Sequence, residues 1–379
     1  MKYIGVHILI LLLTGCISSF VPDVEEKTNN LVVESLITDQ NKSHKIKISR
    51  AVPLGKQIIA PPVKGCEVTI IDENNIEHPL KETSAGTYST DSLKFHAKPG
   101  GIYTLKINTG SLTYISSPVE MLPVPPIDSL FYEKKVLVES NEWGRREEGC
   151  QIYLNTYDPL NRCRFFRWNF TETWEINLRW ENVNNRICWI TQKSENIMIR
   201  STTAYNQSRI TKLPVRFITN KTDMLSVKYS ILVNQYSLNE DEFSYWVKLK
   251  NISEKAGGLF DVIPSAIMSN IYNVDDPEEV VLGYFSVSAL AQKRIFIRER
   301  FSGLADIYWY CPTDTVWGEG EIIGLNDSLW LLEDHPLPDL YTGTEFIRMR
   351  VITRYIECAD CTTRGITKKP PYWDSETLN

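Results

Sequence analysis

The residues with the most legible chemistry sit at the two ends of the chain. Near the N-terminus, Leu13-Thr14-Gly15-Cys16 follows a basic start at Lys2 and an apolar run from Ile4 to Leu13. That run is shorter than the roughly 20 residues a membrane-spanning helix needs. It suits the apolar stretch of a signal peptide instead. The small residues before Cys16 resemble a bacterial lipobox, which implies a peptidase cut after residue 15 and lipid carried on the Cys16 thiol. Near the C-terminus, Cys358-Ala359-Asp360-Cys361 is a C-x-x-C pair. Three chemistries use that spacing: a structural disulfide, half of a metal site, and a redox pair. A redox pair opens a helix after a strand, whereas Thr362-Thr363-Arg364-Gly365 follows here. Zinc needs four ligands, and Cys188, Cys311 and His335 are the only suitable types nearby. A structural disulfide is the favoured reading of Cys358 and Cys361, with connectivity open.

Between the ends, the clearest pattern is an alternation. Trp168, Phe170, Glu172, Trp174, Ile176, Leu178 and Trp180 fall on one face of an extended segment, and Arg167 to Arg179 fall on the other. Strict period two is a half-buried strand. An apolar strand face is normally core. The sharper alternative is a ligand platform, with Trp168, Trp174 and Trp180 stacking on a sugar or an aromatic ring beside Glu172. Glu172 is the odd member, placed either at a sheet rim or against an inward-pointing Arg. A glycoside hydrolase would need a second carboxylate within about 10 Å of it, and spacing identifies none. Asp275-Asp276-Pro277-Glu278-Glu279 lacks the spaced acids of a calcium loop and reads as a solvated turn. The five His are scattered, without an H-E-x-x-H, and no G-x-S-x-G elbow is present. Gly318-Glu319-Gly320 runs on to Gly324, which breaks the dinucleotide-binding spacing. The expectation is no catalytic residue, no metal and no cofactor.

The elements that must position these residues divide the chain. Residues 1–15 are the signal peptide and 16–30 a lipidated tether. Residues 31–122 carry short alternating strands such as Lys45–Ser49 and Tyr103–Asn108, separated by turn clusters such as Asp72-Glu73-Asn74-Asn75. That spacing predicts a β-sandwich of immunoglobulin-like or transthyretin-like size. Residues 123–127 are a Pro-rich linker, stiffened toward polyproline geometry. Residues 128–360 form a larger β domain, sandwich or barrel-like, and residues 361–379 a tail. All ten Trp, from Trp143 to Trp373, lie after the linker. One helix is expected near 238–256, opened by a Ser237-Leu238-Asn239-Glu240 capping box and stopped at Gly257-Gly258. The fold class is therefore mainly β with one packed helix.

Composition agrees. The 379 residues are 42% hydrophobic, which excludes a disordered chain. The formal net charge of −6 argues against a nucleic-acid partner, which selects clustered Lys and Arg. There are eight Cys. With Cys16 lipidated an odd number remains, so at least one stays unpaired.

Several blocks together carry a resemblance. They are the lipobox Cys16, LVVESLITD (31–39), PVPPIDSL (123–130), YSILVNQYSLNEDEFSYWVKLK (229–250), GLFDVIPSAIMSNI (258–271), EEVVLGYFSVSALAQKRIFI (278–297) and ECADCTTRGITKKPPYW (357–373). In this order they resemble the outer-membrane lipoproteins of Bacteroidota classed only as a domain of unknown function. The resemblance implies a membrane anchor through lipid and a TonB-dependent receptor as partner. It supplies no catalytic residue to carry over. The surface-export signal of such lipoproteins places acids directly after the Cys, whereas Ile17-Ser18-Ser19-Phe20 follows Cys16 here. The leaflet is thus left open between surface and periplasm. The expected function is a non-enzymatic binding or accessory component of a receptor uptake system, with its ligand unidentified. A carbohydrate-active enzyme and a structural surface component are the alternatives.

Overall fold

The computed structural model describes residues 30–52, 60–138, 146–181, 183–255, 267, 269–299, 301, 311–318, 329–338 and 346–374. Cys16, the expected signal peptide and residues 17–29 of the expected tether lie outside them. The first strands are β1 (Leu31–Ile37), β2 (Lys45–Arg50), β3 (Glu67–Ile71), β4 (Glu77–Pro79), β5 (Lys81–Ser84), β6 (Thr87–Ser89), β7 (Ile102–Asn108), β8 (Thr113–Ser116) and β9 (Val119–Glu120). Next come β10 (Ile127–Val138), β11 (Arg146–Asp158), β12 (Phe165–Asn177), β13 (Ile187–Lys193), β14 (Met198–Ser201), β15 (Ser208–Thr219), β16 (Tyr229–Leu238) and the helix α1 (Glu240–Lys255). The last are β17 (Ile271–Asn273), β18 (Leu282–Val287), β19 (Leu290–Ile297), β20 (Asp314–Trp317), β21 (Trp330–Pro338) and β22 (Phe346–Thr353). The protein is mainly β, as its alternation predicts.

The first sandwich stacks the sheet β18-β1-β2-β6-β5 on the sheet β17-β8-β7-β3-β4, with β9 beside β7. Period two explains the stacking. Ile46 and Ile48 point inward while Lys45 and Lys47 face water, and Val68, Ile70, Leu105 and Ile107 meet them from the other sheet.

The boundary expected at residue 122 needs correction, because two later strands complete this sandwich. β18 lies parallel to β1, with Val33 beside Gly283 and Ile37 beside Val287. β17 extends the other sheet, antiparallel to β8. Ile271, Val281, Phe285 and Val287 belong to the first core. The approach of β18 depends on Gly283, at φ +92°, where a Cβ would stand 2.0 Å from the Val33 carbonyl oxygen.

The second sandwich stacks β10-β11-β15 on β13-β12-β16-β19, with β14 pairing with β12. Its core runs from Leu130, Ile152 and Leu154 on one sheet to Phe166, Trp168, Trp174, Ile231 and Val233 on the other. A small third sheet, β20-β22-β21, has its own cluster of Leu332, Val351 and Ala359, against which Trp180, Val183 and Trp330 pack. Among the described residues no helix is long and apolar enough to cross a membrane.

The Pro-rich linker does not stand free. The Ser237 hydroxyl donates to the Leu122 carbonyl, Gln235 Nε2 to the Pro125 carbonyl at 2.8 Å, and Thr156 Oγ1 to the Pro126 carbonyl at 3.0 Å. The linker is thereby laid along the second sandwich. This use of Ser237 also corrects the helix start. Asn239 caps α1 instead, its Oδ1 accepting from the Glu242 amide at 2.8 Å, and the acids Glu240, Asp241 and Glu242 lie in the first turn.

Candidate functional site

The Trp face of β12 is core, the reading normal for an apolar strand face, and the alternative of a ligand platform at Trp168, Trp174 and Trp180 falls away. Trp168 is 1% exposed, stacks on Phe166 at 5.5 Å and donates its Nε1 proton to Gln235 Oε1 at 2.9 Å. Trp174 is buried in the same cluster, and Trp180 is half-buried against the third sheet. Among the described tryptophans only Trp317, on the edge strand β20, is exposed, at 60%.

Glu172 is 3% exposed. Arg216 reaches it from β15 on the facing sheet, Nε donating to Oε1 at 2.9 Å, and the Tyr229 hydroxyl donates to the same oxygen at 2.5 Å. Burial, and then the charge of Glu172, push the Tyr229 phenol well above its ordinary range. Both donors pin the carboxylate inside the wall between two sheets, which explains an acid on an otherwise apolar face.

Cys358 and Cys361 are both in disulfides, but not with each other. Cys311 pairs with Cys358 and Cys188 with Cys361. Two short 3-10 turns, Ile356–Cys358 and Cys361–Thr363, carry the two cysteines to different partners. Cys66, Cys150 and Cys163 are free and buried. Burial, helped by the charge of Glu299, pushes the Cys150 thiol up to about 12.

The segment expected to be a tail is a strap. From Cys361 it crosses the outer face of the β13-β12-β16-β19 sheet. Ile366 bridges to Trp189, the Tyr372 hydroxyl shares a hydrogen bond with Thr173 Oγ1 at 2.9 Å, and Trp373 Nε1 donates to Glu175 Oε2 at 2.9 Å. Lys228 donates to the Trp373 carbonyl, and the Trp373 ring meets Trp189 and Phe296 edge-on. At the other end of this sheet, α1 covers Arg167, whose guanidinium lies 4.2 Å from the Trp246 ring and 4.8 Å from the Tyr236 ring. Burial lowers the Arg167 pKa and raises that of Glu242, and each charge opposes the shift of the other.

The open site is on the first sandwich. A cavity of about 360 Å³ lies where the chain crosses from β4, the edge of one sheet, to β5, the edge of the other. His78 and Glu77 form one wall, Lys81, Thr83 and Ser89 the other, and Ser43, Thr90, Asp91 and Lys94 the rim. Local turns fix these groups. Asp91 Oδ1 accepts from the Leu93 amide at 3.0 Å and its carbonyl from the Phe95 amide at 2.9 Å, which drops Phe95 into the core. There Phe95 meets His78 at 5.0 Å and Tyr103 at 5.9 Å, both edge-on. His78 Nε2 lies 3.2 Å from Asp72 Oδ2, and Asp72 Oδ1 accepts from the amides of Asn74 and Ile76. Burial works against the Asp72 carboxylate, but the bonds from the Ile76 amide, His78 and the Asn74 amide outweigh it and hold its pKa below the ordinary range. The Asp72–Asn75 turn was legible in sequence. The contact of His78 with Phe95 beside it was not.

Among the described residues no group of three His, Cys, Asp or Glu side chains is placed to hold a metal. No curated protein matches the chain. The sequence matches the family described as Domain of unknown function (DUF4249) over residues 17–294, well over half of its length. The match ends within β19, before the third sheet and the strap. On that extent of agreement, the chain belongs to the DUF4249 family.

Proposed function

We propose that this protein is a lipid-anchored, non-enzymatic binding component of the outer membrane that works beside a TonB-dependent receptor. The observation that carries the reading is the sealing of Glu172 by Arg216 and Tyr229. It takes away the one acid nominated for hydrolysis, while the cleft between β4 and β5 offers polar groups suited to holding a ligand. Residues 17–30 then tether one body to a membrane through lipid on Cys16. Trp317, exposed on an edge strand, is the side chain best suited to a partner contact.

Co-purification from membranes solubilised in mild detergent tests the proposal. The intact protein is expected to bring down a TonB-dependent receptor, and Trp317→Ala to weaken the capture. Cys16→Ser is expected to leave the protein in the soluble fraction. Recovery without any such receptor, or an unchanged membrane fraction for Cys16→Ser, would sink the reading.

A further inference from the structure

The cavity between β4 and β5 has a lining that selects a class of ligand. Two cations, Lys81 and Lys94, face two anions, Glu77 and Asp91. His78, also in the lining, is turned toward Asp72 outside it, its Nε2 3.2 Å from Asp72 Oδ2. An anionic guest would meet carboxylates and a cationic guest would meet ammonium groups, so neither gains from the site as a whole. The hydroxyls add acceptors. Ser43 Oγ spends its proton on the Thr90 carbonyl at 2.7 Å, and Thr83 Oγ1 and Ser89 Oγ share one hydrogen bond at 3.0 Å. Lone pairs on these oxygens remain for a guest, and the two lysines supply donors.

A guest that donates and accepts from the same atoms satisfies such a lining, and the sugar hydroxyl is that group. The volume of about 360 Å³ is near the lower end for small-ligand sites, enough for a monosaccharide or the end of a glycan. The walls come from both sheets of one sandwich, and Phe95 and Leu80 root them in its core. The site is therefore held open before binding, and little ordering cost falls on the guest.

We infer that this cleft binds a neutral pyranose, either free or as the end of a glycan chain. The inference rests on the binding role proposed above and names its ligand class, while the receptor partnership is tested separately by co-purification.

The test is saturation-transfer NMR and calorimetry on the full chain in detergent. The probes are methyl α-D-glucopyranoside, N-acetylglucosamine and maltotriose, with glucose 6-phosphate and choline as charged controls. At least one neutral sugar is expected to bind, with Lys81→Ala and Lys94→Ala each weakening it about tenfold through a lost hydrogen bond. Both substitutions are on exposed side chains, and circular dichroism checks that the fold is kept. Affinity that rises from monosaccharide to trisaccharide assigns the site to a chain end, and equal affinity to a free sugar. Three results would overturn the inference: no neutral sugar bound at millimolar concentration, tighter binding of either charged control, or sugar binding unchanged in both lysine variants.

Discussion

Arg216→Met isolates the worth of the ion pair behind the Trp face. In the native protein Glu172 has two donors, Arg216 Nε at 2.9 Å and the Tyr229 hydroxyl at 2.5 Å. Methionine keeps much of the aliphatic length and removes the charge. It leaves a carboxylate that is 3% exposed with one neutral donor. Removing one partner of a buried pair costs about 3–5 kcal/mol. Arg216 itself is 37% exposed, so water can reach the gap, and the expected loss is at the low end, about 3 kcal/mol. Glu172→Gln removes the charge but keeps an acceptor for both donors. It should cost less, about 1 kcal/mol. The double variant should then lose less than the sum of the two, because the stranded charge is gone. Urea unfolding followed by Trp fluorescence is the appropriate assay. All ten Trp lie from Trp143 onward, so the signal reports the second sandwich and the elements packed on it. A loss below about 0.5 kcal/mol for Arg216→Met would refute the reasoning, since surface pairs fall in that range. So would a larger loss for Glu172→Gln than for Arg216→Met.

Other perturbations probe other joints. Gly283→Ala puts a Cβ against the Val33 carbonyl in a left-handed conformation, and should destabilise the first sandwich by about 2 kcal/mol or more, read as a lower urea midpoint in far-UV dichroism. An unchanged midpoint would mean that β18 does not need its close approach to β1. Trp373→Ala empties the cradle between Trp189 and Phe296 and should cost about 3–5 kcal/mol, with faster proteolysis after Thr363 as a second sign. His44 is held at a pKa of about 4 by burial and by the charge of Lys42, below its ordinary 6.5. The unfolded chain therefore takes up a proton before the folded one, and stability should fall as pH drops from about 6.5 toward 4. His44→Gln should flatten that slope, and an identical slope in the variant would remove His44 as its cause.

Local regularities in the sequence foretold local structure. The alternation from Trp168 to Trp180 is found as β12 up to Asn177, with its apolar side in the core, because a period of two admits few other outcomes. The helix was placed to within a few residues. Its cap was misassigned because Ser237 and Asn239 are both competent caps, and the choice fell to a tertiary bond from Ser237 to Leu122. The pairing of β1 with β18 had no local signature. It joins Val32 to Leu282 across most of the chain, and parallel neighbours are not announced by a turn between them. The candidate cleft failed to show for a different reason. Its two walls are consecutive in sequence, at His78 and Lys81, yet belong to different sheets, and only the crossing at Leu80 sets them face to face.

The borrowed strands also bear on how the two sandwiches can move. Two sandwiches on a plain Pro-rich linker would move independently, as domains joined by small interfaces do. Here Ile271, Val281 and Phe285 are buried in the first core, while β16 and β19, on either side of them in sequence, belong to the second. Relative motion of the lobes would therefore have to bend three chain crossings, β9 to β10, α1 to β17 and β18 to β19, and not residues 123–127 alone. The Leu290 amide adds a further tie, donating to Asp39 Oδ1 at 2.9 Å. On the proposed lipid anchor, reach toward a partner is then set by the length of residues 17–30 rather than by the linker at 123–127. Shortening residues 17–30 should then weaken receptor capture through reach alone, with the fold and the cleft unchanged. Capture that is insensitive to tether length, but lost on altering residues 123–127, would show that motion between the sandwiches matters instead.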